Sequence, residues 1–300
     1  MPVLLPEGTE WFSVVECLDC GLGFVNPRPT LAAISRYYPA SFYQDFEDQS
    51  AAHNKRYARE GQFIPPSSSV EPPTLLDVGC ANGGFPKYMR TQGWVVEGVE
   101  VGTNAARELD FPVYRVPFPD IPVTKPRYDA ITAWAVLEHV HDPMAHFRKA
   151  AEVLKPGGSL VFLVTDFESI SSRYLYREDL PRHLYFFTMD TISTYLSRCG
   201  LVLERRVADD EFFVMQPVHW LRHHARRVIG KPPMTFAELP ATRRQFVEAR
   251  GLKSELVGTL AYAVCNPLTV VDRLTMPLYE RWQKWRGTYG IVTYVARKPA

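Results

Sequence analysis

From residue 74 to residue 207 the chain alternates short apolar runs with helix-compatible segments, and this alternation restricts the fold more than any other feature. Residues 75–78, 94–99, 112–116, 128–134, 159–165 and 201–207 read as strands, and residues 85–92, 103–109, 143–154 and 188–198 as helices. Such spacing dictates an α/β architecture: a mostly parallel, doubly wound sheet with helices on both faces and right-handed crossovers. Ligands of such sheets bind outside the carboxyl ends of the strands.

The turn after the first of these strands, Asp77-Val78-Gly79-Cys80-Ala81-Asn82-Gly83-Gly84, is built for close approach. Small residues at Gly79, Ala81 and Gly83 let a backbone come within van der Waals reach of a ligand, and the helix start beyond them favours an anionic group. The turn also fits a relaxed dinucleotide fingerprint, with Ala81 in the middle glycine position, and Glu100 at the end of the second strand suits ribose hydroxyls in either class. Taken alone, the turn leaves two cofactor classes open.

The proline- and serine-rich run 64–73 separates an N-terminal extension, 1–63, from the core. The core comprises 74–207 and returns at 288–300 with a last strand at 290–296, after an excursion over 208–287 that reads as a helical insertion, lid or acceptor-facing element. Within the excursion, residues 217–229 place Val218, Leu221, Ala225 and Val228 on one helical stripe and Arg222, His223, His224, Arg226 and Arg227 elsewhere. That makes a basic amphipathic helix, either a solvated lid or a peripheral contact with an anionic membrane or substrate. A net charge of +1 gives no whole-chain reason to expect nucleic acid. Five scattered cysteines argue against a disulfide scaffold and for a reducing, cytoplasmic setting. The N-terminus lacks the pattern of a secretory signal, and no apolar run is long enough to span a bilayer.

In the extension, residues 11–29 read as two short strands around Cys17-Leu18-Asp19-Cys20-Gly21. Two thiols form half of a tetrahedral zinc site and the chain has no second pair, so a metal-free hairpin is the expected state. Residues 30–46 read as an N-capped helix ending in aromatic residues, either core packing or an arm over the cofactor.

Four segments in order over the core carry a family resemblance. Asp77 to Gly83 resembles the first motif of class I S-adenosylmethionine-dependent methyltransferases, and Gly98-Val99-Glu100-Val101-Gly102 resembles their acidic second motif. The stretch from Tyr128 through Trp134-Ala135-Val136-Leu137-Glu138-His139 to Pro143 is similar to their fourth-strand motif, and Leu154-Lys155-Pro156-Gly157-Gly158 to the turn before their fifth strand. The resemblance implies a seven-stranded, Rossmann-like sheet whose final strand inserts antiparallel, with S-adenosylmethionine as cofactor and S-adenosylhomocysteine as product. It points to the small-molecule branch, some members of which carry an N-terminal zinc-ribbon-like segment; only the second half of that pattern, Cys20-Gly21-Leu22-Gly23-Phe24-Val25-Asn26-Pro27-Arg28-Pro29, is present here.

Carried over by position, the resemblance assigns the cofactor to Asp77, Gly79, Cys80, Ala81, Asn82, Gly83, Glu100, Val101, Phe118, Trp134 and Ala135. Asp77 would anchor the loop near the cofactor's ammonium, Glu100 would hold the ribose hydroxyls, and Phe118 would lie near the adenine or simply pack in the core. Methyl transfer to a hydroxyl needs alignment and removal of one proton. His183, His139 and His141 are candidate bases because imidazole titrates near neutrality; His183 ranks first and His139 second. No metal is expected, since the Glu-x-x-Glu-His cluster of related quinone O-methyltransferases has Ala135 in its first position here. The reading is therefore a methyltransferase acting on a small-molecule or lipid- or sugar-linked hydroxyl. Carbon or nitrogen methylation and a nicotinamide-dependent oxidoreductase are the alternatives. The oligomeric state is left open.

Overall fold

The computed structural model describes residues 2–5, 8–38, 51–66, 71–102, 109–175, 180–208, 219–231, 243–251 and 255–300. The central sheet has seven strands: β5 (Thr74–Val78), β6 (Val95–Val99), β7 (Val113–Tyr114), β8 (Tyr128–Trp134), β9 (Leu154–Thr165), β11 (Val202–Val207) and β12 (Ile291–Arg297), in spatial order β11-β12-β9-β8-β5-β6-β7. Strands β7, β6, β5, β8 and β9 run parallel, and β12 lies antiparallel between β9 and β11, as the resemblance implies.

Both faces of the sheet are covered at its centre, which is why the inner strands are nearly continuous apolar runs, whereas the edge strand β11 carries Glu204, Arg205 and Arg206. Successive side chains point to opposite faces. Leu76, Ile131, Phe162 and Tyr294 share one core with Phe147 and Val153 of α3 (Pro143–Val153) and Ile192 and Leu196 of α4 (Met189–Arg198). Their neighbours Leu75, Ala130, Val161 and Val295 pack on the other face with Phe85 and Met89 of α2 (Gly84–Thr91) and with Phe63 and Ile64. Asp142 caps α3 by accepting the Ala145 N–H at 2.9 Å, and Thr188 with Thr191 forms a capping box at α4.

Two local expectations change. The Lys155 to Gly158 turn is a bulge within a longer strand: Tyr128 pairs with Leu154 and Ala130 with Ser159, so residues 155–158 loop out of the ladder. Gly157 takes φ +76° there, and Lys155 Nζ reaches the Asp129 carboxylate at 2.8 Å. The N-capped helix expected over 30–46 gives way to a single 3₁₀ turn, Ile34–Tyr37, before the described residues stop at Tyr38; Thr30 Oγ1 accepts the Ala33 N–H at 3.3 Å, but the 3₁₀ turn itself has no side-chain cap. The helix expected at 103–109 lies almost wholly outside the described residues.

A helix that the pattern did not announce, α1 (Ala51–Gly61), precedes the core and packs on α2. Its sequence is largely polar, so no apolar stripe marked it; Arg56 and Glu60 pair at i,i+4 with Nε to Oε1 at 2.7 Å. The N-terminal segment forms the hairpins β1 (Pro2–Leu5) with β2 (Gly8–Trp11), and β3 (Val14–Glu16) with β4 (Gly23–Val25) around the Cys17–Cys20 knuckle. Strand β4 also pairs with β10 (Tyr185–Phe186), placing the extension directly on the segment beyond β9.

The excursion contributes α5 (Trp220–Val228), α6 (Arg243–Ala249), α7 (Glu255–Cys265) and α8 (Pro267–Arg286), with α6 on α7, α7 on α8 and α5 on α8. Arg206 Nη2 anchors its exit, donating to the Gly287 carbonyl at 2.6 Å and to Asp166 Oδ2 at 3.0 Å. No helix among the described residues is long and apolar enough to cross a membrane.

Candidate active site

The carboxyl ends of β5, β6 and β8 meet at one edge of the sheet. Gly79 leaves β5 at φ +74°, a conformation that glycine adopts freely; a side chain there would also strike Val136 Cγ2 at 2.6 Å. Ala81 and Ala135 take φ +46° and +55°, and Ala135 begins the turn at the end of β8. Non-glycine residues in the left-handed region cost about 1 kcal/mol or more and gather where a ligand or reaction demands the geometry. Here two such residues stand on adjacent strand ends of the same edge.

Glu100 is buried at the end of β6, where Oε2 accepts the Ala81 N–H at 2.9 Å and Oε1 the Gly102 N–H at 2.6 Å. Each carboxylate oxygen keeps a further lone pair. Asp77, also buried, accepts the Thr132 hydroxyl at 2.6 Å. Burial outweighs that hydrogen bond and pushes its carboxyl up to about 8, with Glu60 and Glu100 adding to the rise and Arg56 opposing it. Asn82 Oδ1 accepts the Gly84 N–H at 3.2 Å, and Gly83 turns at φ +77° into α2. Cys80 turns inward with its sulfur over Gly98, where any side chain would meet Sγ at 2.6 Å, and burial raises its thiol pKa. Val101 is exposed just beyond β6. Phe118 is buried in the core with its ring centroid 5.9 Å from that of His146.

Trp134 packs edge-on against Phe85 at 5.4 Å and near Phe63 at 6.4 Å. Its indole Nε1 is buried and has no acceptor among the described residues. Helix α1 closes the same edge from the other side. Tyr57 lies so close over Gly84 that a side chain there would meet its hydroxyl at 2.2 Å, and the carboxylate of Glu60 is fully buried beside Arg56. Sequence reasoning missed Arg56, Tyr57 and Glu60; the only available signal was the i,i+4 charge pair.

A second cluster lies where β8 ends and β10 begins. The His139 and His183 rings stand edge to face with centroids 4.5 Å apart. Donor atoms of Glu138, His139 and His183 all lie within 4.8 Å of one another, an arrangement able to share a proton or hold a cation. The Glu138 carbonyl accepts the N–H groups of Leu184 (2.7 Å) and Tyr185 (3.2 Å), so the two histidine-bearing segments are laced together by backbone. His139 Nδ1 lies 3.1 Å from the Arg182 carbonyl, which can only accept. The tautomer that satisfies this contact keeps the proton on Nδ1 and the lone pair on Nε2. Tyr38 from the N-terminal extension also reaches Nδ1, at 3.0 Å, a contact nothing in the sequence announced. His141, the third histidine considered, donates Nε2–H to the Pro29 carbonyl at 2.9 Å and so helps hold the extension in place. Among the described residues, no group of three ligand-type side chains includes Cys17 or Cys20.

A family profile described as a methyltransferase domain matches residues 49–205, more than half of the chain. The chain belongs to this family. Its cofactor is S-adenosylmethionine, and the nicotinamide alternative is thereby set aside. The match begins at the polar helix α1, so the family's domain includes it.

Among curated proteins, this methyltransferase is 34% identical over 103 residues to a ubiquinone biosynthesis O-methyltransferase of Xanthomonas campestris, covering 30% of this chain and 42% of that one. It is 27% identical over 166 residues to the same-named protein of Bordetella pertussis, covering 48% and 68% respectively. The chain spans less than half the length of the former protein and of its counterpart in Alkalilimnicola ehrlichii, of which 40% is covered. Among solved structures, the fold resembles that of a Haloferax volcanii complex of a methyltransferase and its activator, with TM-score 0.53 and 15% identity over 87% of this chain and 94% of that one. It also resembles phosphoethanolamine N-methyltransferase 2 of Haemonchus contortus, with TM-score 0.51 and 15% identity over 88% of this chain and 58% of that one.

The edge suits the cofactor on its own terms. An accessible glycine turn, two buried carboxylates on adjacent strands and an unused buried indole N–H offer what a ligand carrying hydroxyls and an amino-acid head requires.

Proposed function

We propose that this methyltransferase methylates a hydroxyl oxygen of a small-molecule or lipid- or sugar-linked acceptor, with His183 as the general base and His139 beside it. The observation that carries this reading is the pair of imidazoles, buried His183 and half-buried His139, with ring centroids 4.5 Å apart beyond the end of β8. The cofactor supplies a methyl group already activated on a sulfonium, so the protein has to align the acceptor and take its proton. Gly79, Cys80, Ala81, Asn82 and Gly83 would contribute backbone, Glu100 would accept from the ribose hydroxyls, and Asp77 would face the ammonium. Val101, Phe118, Trp134 and Ala135 complete the expected set, with the Trp134 N–H as the available donor. The Tyr38 contact favours a closed site, since it lays the extension over His139 and limits water there.

Oxygen as the acceptor atom draws support from the relatives named as O-methyltransferases. The basic residues Arg222, Arg226 and Arg227 fit a surface-side contact of 217–229 with an anionic surface or acceptor, in a cytoplasmic protein.

The test has two arms. Calorimetry should show saturable binding of S-adenosylmethionine or S-adenosylhomocysteine and none of NADH. Across a panel of phenols and other hydroxylated small molecules, His183→Ala should abolish S-adenosylhomocysteine formation while leaving cofactor affinity unchanged. Unimpaired turnover would exclude His183 as the base. Activity lost on chelation and restored by a divalent cation would instead make Glu138, His139 and His183 metal ligands.

A further inference from the structure

Helix α8 is built inside out. Its inward face carries polar side chains: Thr269 and Asp272 are fully buried and Gln283 is nearly so. Asp272 accepts the backbone N–H groups of His219 at 2.5 Å and Leu221 at 2.8 Å, capping α5, while Arg222 donates to the Thr269 hydroxyl at 3.2 Å. Tyr279 stacks on Trp220 at 4.3 Å, and its hydroxyl meets His224 Nε2 at 3.0 Å. Helices α5 and α8 therefore meet through their polar and aromatic sides.

The side that α8 turns outward is apolar. Leu268, Val271, Leu274, Leu278, Trp282 and Trp285 are all exposed, Leu274 by 74% and Trp285 by 79%. At about 100° per residue they occupy roughly a third of the helix circumference, along a rod about 30 Å long. Helix α7 repeats the pattern, with Leu256, Leu260 and Val264 exposed at i,i+4 spacing and no charge after Glu255. The far end of α5 adds the exposed Val228 and Ile229. Scattered exposed apolar residues are ordinary, but a continuous stripe of this length marks a docking surface.

Charge identifies the docking partner. From residue 256 to 286 the exposed charges are Arg273, Arg281 and Arg286, all basic. The two acidic residues of this stretch are engaged inward, Asp272 in the α5 cap and Glu280 with the Tyr289 hydroxyl at 2.9 Å. From 217 to 231 the chain adds Arg226, Arg227 and Lys231 without an acidic residue, Arg222 being engaged with Thr269. A second copy seated on this face would set arginine against arginine around a two-fold axis. An anionic bilayer neutralises them instead, accepts the leucines among its acyl chains, and suits tryptophan at the headgroup level.

We propose that the outward face of α8, continued by α7, docks this protein on an anionic lipid bilayer, with α8 lying in the plane of the interface. The proposal stands independently of the acceptor and of His183. It also shifts the contact from the 217–229 helix, whose inner side is taken up by α8, to the helix that covers it.

Full-length protein should co-sediment with vesicles of phosphatidylcholine and phosphatidylglycerol, and bind pure phosphatidylcholine at least about tenfold more weakly. Leu274→Asp and Trp285→Asp should each weaken partitioning about tenfold or more, with cofactor affinity and far-ultraviolet circular dichroism unchanged as controls for folding. Wild-type protein that stays in solution with anionic vesicles, or variants that bind like wild type, would overturn the proposal. So would a solution dimer that the same substitutions dissociate, which would assign the face to a second copy.

Discussion

Glu100 and Asp77 are both buried carboxylates on adjacent strand ends, yet they differ in how fully their charge is supported. Glu100 accepts two backbone N–H groups, whereas Asp77 accepts one hydroxyl and is held at about 8 by burial. Glu100→Ala should weaken S-adenosylmethionine binding by about 2 to 3 kcal/mol, the scale of hydrogen bonds to a charged group, measurable by calorimetry. For Asp77 the sign follows from the raised value. Between its unfolded value of about 4 and its native value of about 8 the folded form binds more protons, so stability without ligand falls as pH rises through that window. A bound ammonium favours the carboxylate, so cofactor affinity should climb with pH up to about 8, and Asp77→Asn should flatten that dependence. Titrations by calorimetry from about pH 6 to about pH 9 decide this. Asp77, Gly79 and Glu100 were legible in the sequence because each stands at a strand end within a short motif. Tyr38 and Arg56 were not, because each reaches the edge from a segment whose position is fixed only by tertiary packing.

At the scale of elements, most core strands could be read to within a residue or two, since burial on both faces leaves apolar runs with sharp ends; β9, which begins at Leu154 and not at Ser159, is the exception. Helices fared less evenly. Helix α1 has no apolar stripe to betray it, and the 217–229 pattern set Val218, Leu221, Ala225 and Val228 on one apolar stripe of a basic amphipathic helix. In the fold the buried residue of α5 is His223, and Ala225 and Val228 are exposed, because the partner helix presents polar groups that match the histidine side. Periodicity reports which residues share a face but not which face is covered. Asp272 is the hinge of this inversion: Asp272→Ala removes the α5 cap and leaves buried N–H groups unpaired, at a cost of about 2 kcal/mol. Hydrogen exchange should show faster exchange in α5 with little change in the sheet. The Arg206 to Asp166 contact is a comparable anchor, with Asp166 buried and its carboxyl pushed up to about 7 by burial despite the guanidinium. Arg206→Ala would strand that carboxylate and should destabilise the fold by about 3 kcal/mol, read from denaturant midpoints.

At the scale of the whole molecule, the seven strands and the antiparallel course of the last followed from the resemblance carried by four ordered motifs, whereas the relation of the extension and the excursion to the core did not. The extension shares a sheet with the segment carrying His183, and Val25 donates its N–H to the Leu184 carbonyl at 3.0 Å. The excursion leaves after Val207, which pairs with Thr293, so the chain departs and returns at one place on the sheet edge. Replacing residues 209–286 by a short flexible linker should therefore preserve cofactor binding while removing vesicle binding, each measured on the same preparation.

The antiparallel course of β12 has a practical outcome. Ile291 lies opposite Thr165 at the cofactor edge, and Arg297 lies opposite Ser159 at the far end of the β12 ladder, beside the bulge of β9. The chain is thus carried along the strands to the opposite end of the sheet before it reaches Lys298, whose side chain is tied to the Ala151 and Leu154 carbonyls. An affinity tag, fluorophore or sensor-chip tether attached after residue 300 would emerge on the far side from the glycine turn. Attached before residue 1, it would continue from the extension whose Tyr38 reaches His139.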